Sequence, residues 1–260
     1  MIIIITICRQ NGYFIKMLDI KKIYQKIVYA NRFLKLARIF HFEKIAPVKL
    51  ELNSNDKCLL LVPHPDDETM GCGGLLLKHS ANFDIICLTD GGRGGYDQPK
   101  DNIAAIRKLE FEKVLDKLSI SNYSMLEIED CKLINNYPVF ENIDIEKYDY
   151  IFIPNYFDQH KDHKAVTTLL QKLLKSKKHK SSLKIAFYEV WSPLTIPNFY
   201  FDISDVIEEK KSLIDIYQSQ LKHVDFKNGI KSLNLYRGMQ FNCKYAEVFS
   251  IINIHTFMKL

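Results

Sequence analysis

Leu59 to Gly74 reads LLLVPHPDDETMGCGG. Four apolar residues of the kind that fill a protein core run straight into a histidine, three consecutive acidic side chains and a glycine-rich stretch. Adjacent carboxylates repel each other and must be hydrated, paired or bound to a cation. Their place at the end of a buried strand therefore implies a site that needs negative charge.

Outward from this stretch, apolar runs and helical patterns alternate. Lys57 to Pro63, Phe83 to Asp90, Tyr148 to Pro154 and Leu183 to Trp191 read as buried strands. Between and after them, Glu68 to His79, Ile103 to Leu118, Asp162 to Leu174 and a segment beginning at Ser204 read as helices, the last with Ser204 as its N-cap. This order predicts an α/β fold with a mostly parallel sheet and helices on both faces. In such sheets ligands bind beyond the carboxyl ends of the strands. Three loops leave those ends, PHPDDETMGCGG, TDGGRGGYD and PNYFDQHKDH, and the unusual polar residues gather there.

The first loop offers His64, Asp66, Asp67 and Glu68, and the third Asp158, His160, Asp162 and His163. A catalytic zinc site takes three nitrogen or oxygen ligands and keeps one position open. His64, Asp67 and His163 are the expected ligands, with one Zn2+ per chain. Asp66 is left beside the ion to take a proton from water, and His160 to polarise a carbonyl or protonate a leaving amine. Asp162 is expected to orient a histidine. Glu68 belongs to the helix start, and the glycines of GCGG let that helix pack close to the sheet. A Mg2+ phosphoryl-transfer site is the carboxylate-based alternative, disfavoured by the two imidazoles. The bland alternative takes each loop as a solvated helix start.

HPDDE followed by GCGG, TDGG and DQHKDH resembles the LmbE-like, or PIG-L, family of zinc-dependent N-acetylglucosaminyl de-N-acetylases. The likeness continues through YEVW (Tyr188 to Trp191), Phe201 to Gln220 and YAEVF (Tyr245 to Phe249). It implies a Rossmann-like fold and removal of an N-acetyl group from an amino sugar or glycoconjugate. It also supports His64, Asp67 and His163 as the metal set, Asp66 as general base and His160 as the second catalytic group. Arg107, three residues before Glu110, looks like the family's RxxE position near the substrate, the plain alternative being a surface pair with Glu110. Arg93 is a second candidate for sugar hydroxyls or a phosphate; its GGRGG setting is either an anion cradle or a flexible turn. Trp191 and Pro193 are read as a pocket wall or, for Trp191, as core. Hydrolysis of another amide, such as an N-acyl thiol conjugate, and a non-catalytic carbohydrate-binding or assembly role remain as rival readings.

The 260 residues carry a net charge of +5, and Met17 to Ala46 alone holds seven basic residues against Asp19 and Glu43. The rest is near neutral, which argues against nucleic acid as a partner. Residues 1–46 are therefore read as an extension with a basic amphipathic helix over Ile20 to Phe42, either packed on the domain or lying on an anionic membrane surface. Residues 47–260 are read as the enzyme domain. Six cysteines without a CxxC pair fit free thiols in a reducing compartment. The apolar opening MIIIITIC is too short to span a bilayer and lacks the flanks of a signal peptide, and Met17 is a second candidate start. The expectation is a cytoplasmic protein with peripheral contact at the inner membrane face.

Overall fold

Every residue of the strand Cys58–Val62 is fully buried, as expected of a central strand covered on both faces, where alternation gives way to a continuous apolar run. It lies within an eight-stranded sheet of a computed structural model that describes residues 2–9, 12–41, 47–95 and 99–260. Side chains are described for 23–31, 33, 34, 47–95 and 99–260. The expected helix residue Phe42 and Tyr96 to Gln98 of the second loop region lie outside the described residues.

The chain divides into two compact units, Met1–Ile45 with Met258–Leu260, and Ala46–Phe257. In the first, β1 (Ile2–Arg9) and β2 (Gly12–Asp19) form an antiparallel hairpin that leads into helix α1 (Ile20–His41). The second unit starts with β3 (Val48–Lys49) and β4 (Cys58–Val62), followed by α2 (Asp67–His79), β5 (Phe83–Thr89), α3 (Lys100–Lys117) and β6 (Tyr123–Ile128). After α4 (Tyr137–Phe140) come β7 (Tyr150–Pro154), α5 (Lys161–Ser176), β8 (Lys184–Tyr188) and β9 (Phe199–Asp202). Helices α6 (Ile207–Ile214), α7 (Gln218–Leu221) and α8 (Phe226–Gln240), strand β10 (Ala246–Asn253) and α9 (Ile254–Phe257) complete it.

The strand order is β3-β9-β10-β8-β7-β4-β5-β6. Strands β8, β7, β4, β5 and β6 run parallel, while β10 is antiparallel to both β8 and β9. From β4 the chain winds outward through β5 to β6, then returns to β7 on the other side of β4. The reversal leaves a crevice beyond the carboxyl ends of β4 and β7, where connecting loops part instead of crossing. The first and third polar loops leave those two ends.

Two expected elements differ. The last segment starts its helix at Ile207, not Ser204, because the Ser204 hydroxyl donates to Asp202 Oδ1 at 2.6 Å instead of capping the helix, and the helix breaks after Ile214. The strand expected to reach Trp191 ends at Tyr188.

The glycines of GCGG do bring α2 close to its neighbours. A Cβ on Gly74 would lie 2.3 Å from Ile203 Cγ2. On the same side the fully buried ion pair of Lys210 and Glu247 (Nζ to Oε1, 2.7 Å) holds the helix backbone. The Gly74 and Leu75 N–H groups donate to the two Glu247 oxygens at 2.7 and 2.9 Å, and Lys210 Nζ donates to the Met70 carbonyl at 2.9 Å.

Alanine usually gains about 1 kcal/mol over glycine inside a helix. Gly74→Ala should instead lose about 1–3 kcal/mol by overpacking against Ile203, while Gly229→Ala on α8, where a Cβ meets nothing within 4 Å, should gain up to ~1 kcal/mol. Denaturant midpoints of the two variants moving in the same direction would contradict this packing.

Candidate active site

The turn between β4 and α2 is strained in a way that aims its side chains. Asp66 has φ 125°, a conformation rare for a residue with a Cβ. Its N–H donates to Glu68 Oε2 at 3.1 Å, and its carbonyl accepts from the Thr69 and Met70 N–H groups in the first turn of α2. Glu68 is itself fixed by the hydroxyls of Thr69 and Tyr217. Glu68 thus supports the turn from behind, as expected of a residue at the helix start.

Three donor atoms converge in front of it. His64 Nδ1 lies 3.3 Å from Asp67 Oδ2 and 3.2 Å from His163 Nε2, and His163 Nε2 lies 3.1 Å from Asp67 Oδ2. With zinc to nitrogen or oxygen distances of about 2.0–2.2 Å, adjacent donors of a tetrahedral site stand ~3.3–3.5 Å apart. The observed triangle is close to one face of such a tetrahedron. The outward nitrogens fit as well. His64 Nε2 faces Asp162 Oδ2 at 3.3 Å and Asp130 Oδ1 at 3.5 Å, and His163 Nδ1 lies 3.2 Å from Asp158 Oδ2 without the alignment of a hydrogen bond. A carboxylate at the far nitrogen holds the proton there and leaves the lone pair for an ion.

Burial opposes protonation of His163, yet the charge of Asp67 outweighs it and raises the pKa to about 9. Burial opposes ionisation of Asp67, which the two histidines nevertheless hold well below the usual carboxylate range. Three mutually attracting groups of this kind want a positive charge between them. His64, His160 and His163 also bring ring nitrogens within 4.8 Å of one another, as do the donor atoms of Asp130, Cys131 and His160.

Asp66 and Arg107 form the other half of the site. Arg107 is buried, its Nη2 lies 3.0 Å from Asp66 Oδ2, and it donates to the carbonyls of Gly91 and Pro65. Gly91 (φ 62°) is required there, since a Cβ would fall 2.7 Å from Arg107 Nη1. Burial pushes the Asp66 carboxyl up to about 7 against the downward pull of the guanidinium. The surface pair of Arg107 with Glu110 does not form: Glu110 is buried and accepts from the backbone and hydroxyl of Ser219 at 2.8 and 2.6 Å.

His160 caps α5, its Nδ1 accepting from the Asp162 N–H at 3.3 Å. A neutral ring in that role carries its proton on Nε2. Its edge packs against the His64 ring with centroids 4.5 Å apart, and burial together with the neighbouring imidazoles lowers its pKa. Arg93 lines the cavity in front of these groups but is engaged by the next loop, donating from its backbone N–H to Asp130 Oδ2 and from Nε to the Asp130 carbonyl. Gly91 is left-handed and Gly92–Gly94 form one tight turn, so GGRGG is a shaped turn seating Arg107.

The cavity measures about 320 Å3. Its floor carries His64, Asp66, Asp67 and His160, and its walls include Asp130, Cys131, Gln220, His223 and Phe226, which the sequence reading did not single out. Asp130 and Cys131 follow β6, whose exposed, polar face hid it as a strand although EIED ends it with the same acidic signal. Trp191 also lines the cavity and is half exposed, so it is pocket wall and not core.

Residues 59–174 match the family of GlcNAc-PI de-N-acetylases, PIG-L. Over that stretch, a little under half of its length, the chain is similar to the PIG-L family. The match runs from β4 into α5 and so contains His64, Asp66, Asp67, Arg107, His160, Asp162 and His163. A diacetylchitobiose deacetylase of Thermococcus kodakarensis is 26% identical over 224 residues, spanning 75% of this chain and 82% of that protein. The solved N,N'-diacetylchitobiose deacetylase of Pyrococcus horikoshii superposes with a TM-score of 0.68 at 23% identity, over 86% of this chain and 93% of that one. The 4-carboxy-2-hydroxymuconate hydratase of Pseudomonas putida shares the fold with a TM-score of 0.58 at 15% identity, covering 76% of this chain and 96% of its own.

If this site holds a divalent ion, adding Zn2+ should raise the thermal midpoint, by the equivalent of about 2.7 kcal/mol at one hundred times the dissociation constant, and chelation should reverse it. His163→Ala should abolish the shift and Asp66→Asn should keep it. A wild-type midpoint indifferent to both zinc and chelator removes the metal reading.

Proposed function

We propose that this protein is a zinc-dependent hydrolase that removes the N-acetyl group from an N-acetylated amino sugar or glycoconjugate and releases acetate. One observation carries the reading: three donor atoms form a triangle of zinc dimensions with a second, strained carboxylate, Asp66, placed beside them and not among them. The deacetylase relatives and the PIG-L match support the same reaction class. Two imidazoles and one carboxylate favour zinc over magnesium.

His64 Nδ1, Asp67 Oδ2 and His163 Nε2 would hold the zinc ion, which would supply Lewis acidity toward the acetyl carbonyl and toward water in the site. Asp66 accepts the proton of the attacking water on its carboxylate. Burial holds its carboxyl above the usual carboxylate range, which suits a base that must take that proton and then give it up. Arg107 fixes the rotamer of Asp66 and keeps one of its oxygens occupied, leaving the other for water. His160 donates a hydrogen bond from Nε2 to the oxygen that gains charge as the carbonyl is attacked, and the proton that Asp66 took from water passes to the departing amine. Asp162 and Asp158 orient the two metal-binding rings. Arg93, tethered to Asp130, forms the wall that meets sugar hydroxyls.

The test is mass spectrometry of N-acetylated sugars, free, nucleotide-linked, lipid-linked and polymeric, incubated with zinc-loaded protein and followed for loss of an acetyl group. Asp66→Asn should lower kcat about 10²–10⁴-fold and His160→Gln about 10²–10³-fold, with zinc content unchanged in both. Near-normal turnover by Asp66→Asn rules it out as the base. Reaction of other amides but no sugar transfers the reading to a different amide hydrolase.

We also infer that α1 meets an anionic membrane surface, consistent with a cytoplasmic enzyme held at the inner face. Ile20–His41 contains six basic residues and no acidic one, and Ile23, Tyr24, Ile27, Phe33 and Leu34 are exposed along it. No helix among the described residues is long and apolar enough to cross a membrane. The full chain should pellet with vesicles rich in phosphatidylserine, less so at high salt, and not with neutral vesicles; charge reversal of Lys21, Lys22 and Lys26 should release it. Equal pelleting with both vesicle types removes the idea.

A further inference from the structure

Cys58, Cys72 and Cys87 are buried among apolar neighbours, as free thiols usually are. Cys131 is partly exposed and lines the cavity together with Asp130 and His160. These three residues come from loops far apart in sequence, one after β6 and one at the start of α5, and Asp162 joins them. Its Oδ2 accepts from the Cys131 N–H at 2.7 Å and its Oδ1 from the Leu133 N–H at 3.2 Å, while its own N–H donates to His160 Nδ1 at 3.3 Å. From the other side the Asp130 N–H donates to Asp90 Oδ1 at 3.1 Å, and Asp130 Oδ2 accepts from the Arg93 N–H at 3.1 Å. The loop after β6 is thereby fixed against the head of α5.

Donor atoms of Asp130, Cys131 and His160 all lie within 4.8 Å of one another, and Cys131 Sγ donates to Asp130 Oδ1 at 3.3 Å. A tetrahedral zinc ion, with sulfur at about 2.3 Å and nitrogen or oxygen at about 2.0–2.2 Å, sets such donors ~3.6 Å apart. Small side-chain rotations close the set to that size. Asp130 Oδ1 is free to turn to this task, because His64 Nε2, 3.5 Å from it, keeps Asp162 Oδ2 at 3.3 Å. One thiol, one imidazole and one carboxylate make a softer donor set than the triangle of His64, Asp67 and His163, which contains no sulfur.

We propose that Asp130, Cys131 and His160 form a second metal site, for a borderline or soft divalent cation such as Zn2+. Binding breaks the Cys131 S–H bond, leaves its electron pair on sulfur for the cation and sends the proton to solvent. Whichever ring nitrogen of His160 takes the ion, the cap bond from the Asp162 N–H is lost: an ion on Nδ1 displaces it, and an ion on Nε2 moves the ring proton to Nδ1. That loss weakens the site about tenfold, the usual worth of a helix cap, and the charge of an ion in the triangle weakens it further. The second ion therefore enters above the concentrations that fill the triangle. The site does not depend on the deacetylase reading; where that reading holds, His160 cannot both carry this ion and donate to the reacting oxygen.

Equilibrium dialysis of the full chain against Co2+, read by metal content and absorbance, tests this. Wild type should take up two equivalents, and the second should bring a thiolate-to-cobalt charge-transfer band in the near ultraviolet, which the sulfur-free triangle cannot give. Cys131→Ser should hold one equivalent without the band, the retained ion showing that the chain is folded. Asp130→Asn should keep the first equivalent and bind the second about tenfold more weakly or worse. A band that survives in Cys131→Ser belongs to another thiol, and one unaffected by Asp130→Asn belongs to a lone thiol; either overturns the three-donor site. One equivalent without the band in wild type overturns it too and leaves the triangle standing, whereas no uptake at all removes both.

Discussion

Six carboxylates, from Asp66, Asp67, Glu68, Asp130, Asp158 and Asp162, are buried around the end of β4, and the structure around it has to answer their charge. Among the described residues the fixed cation that meets them is Arg107, whose guanidinium reaches Asp66. Glu68 is met by the hydroxyls of Thr69 and Tyr217, and the other four face imidazoles: Asp67 faces both His64 and His163, Asp130 and Asp162 face the far side of His64, and Asp158 that of His163. Without an ion the cluster must hold protons on its histidines, which is why Asp67 and its neighbours pull the His163 pKa upward. A divalent cation in the triangle replaces those protons with a charge that does not leave as pH rises. Like charges so close are tolerable only on those terms.

This constraint reaches into parts of the fold that touch no substrate. The turn after β4 must present Asp67 to one partner set and Asp66 to another although they are adjacent in sequence. A positive φ at Asp66 achieves the divergence, and Glu68, Thr69 and Tyr217 hold it. The start of α2 is then fixed, so the rest of the helix must pack where that start directs it. Glycines at its middle and the Lys210–Glu247 pair accept that position, at the expense of burying a lysine far from water. On the other side Arg107 can reach Asp66 only past a residue without a Cβ, Gly91.

Legibility followed how local each signal was. β4, β5 and β7 were readable because a parallel strand buried on both faces is a continuous apolar run. β6 and β9, half exposed and mixed in composition, were not, and with β6 went Asp130 and Cys131. His64, Asp66, Asp67, His160, Asp162 and His163 could be brought together on paper because both loops leave strand ends, and the geometry does gather them. Arg107 shows the limit. Its three-residue spacing to Glu110 suggested a pair on one helix face, but burial sends the two side chains to different partners, and no periodicity records where a buried arginine turns. Trp191 failed for the related reason that hydrophobicity suggested core, while its exposure is imposed by Glu189, Arg237 and Asn155, residues 2, 46 and 36 positions away along the chain.

The hydratase of Pseudomonas putida makes clear that the architecture alone does not determine chemistry. What distinguishes one member of this architecture from another must lie in the atoms facing the crevice. In this chain those atoms fall into two groups by origin. The floor comes from the segment between β4 and α5, which coincides with the PIG-L match, and its hydrogen bonds are mostly to other members of that segment. The far wall comes from residues 189–226, outside the match, and is anchored by a separate set of contacts through Arg237 and Asn155. Asn155 itself lies within the matched segment, and it joins the wall to the floor together with the links from Tyr217 to Glu68 and from Ser219 to Glu110. A wall joined to the floor at those few points can change its lining side chains without disturbing the buried charges beneath it.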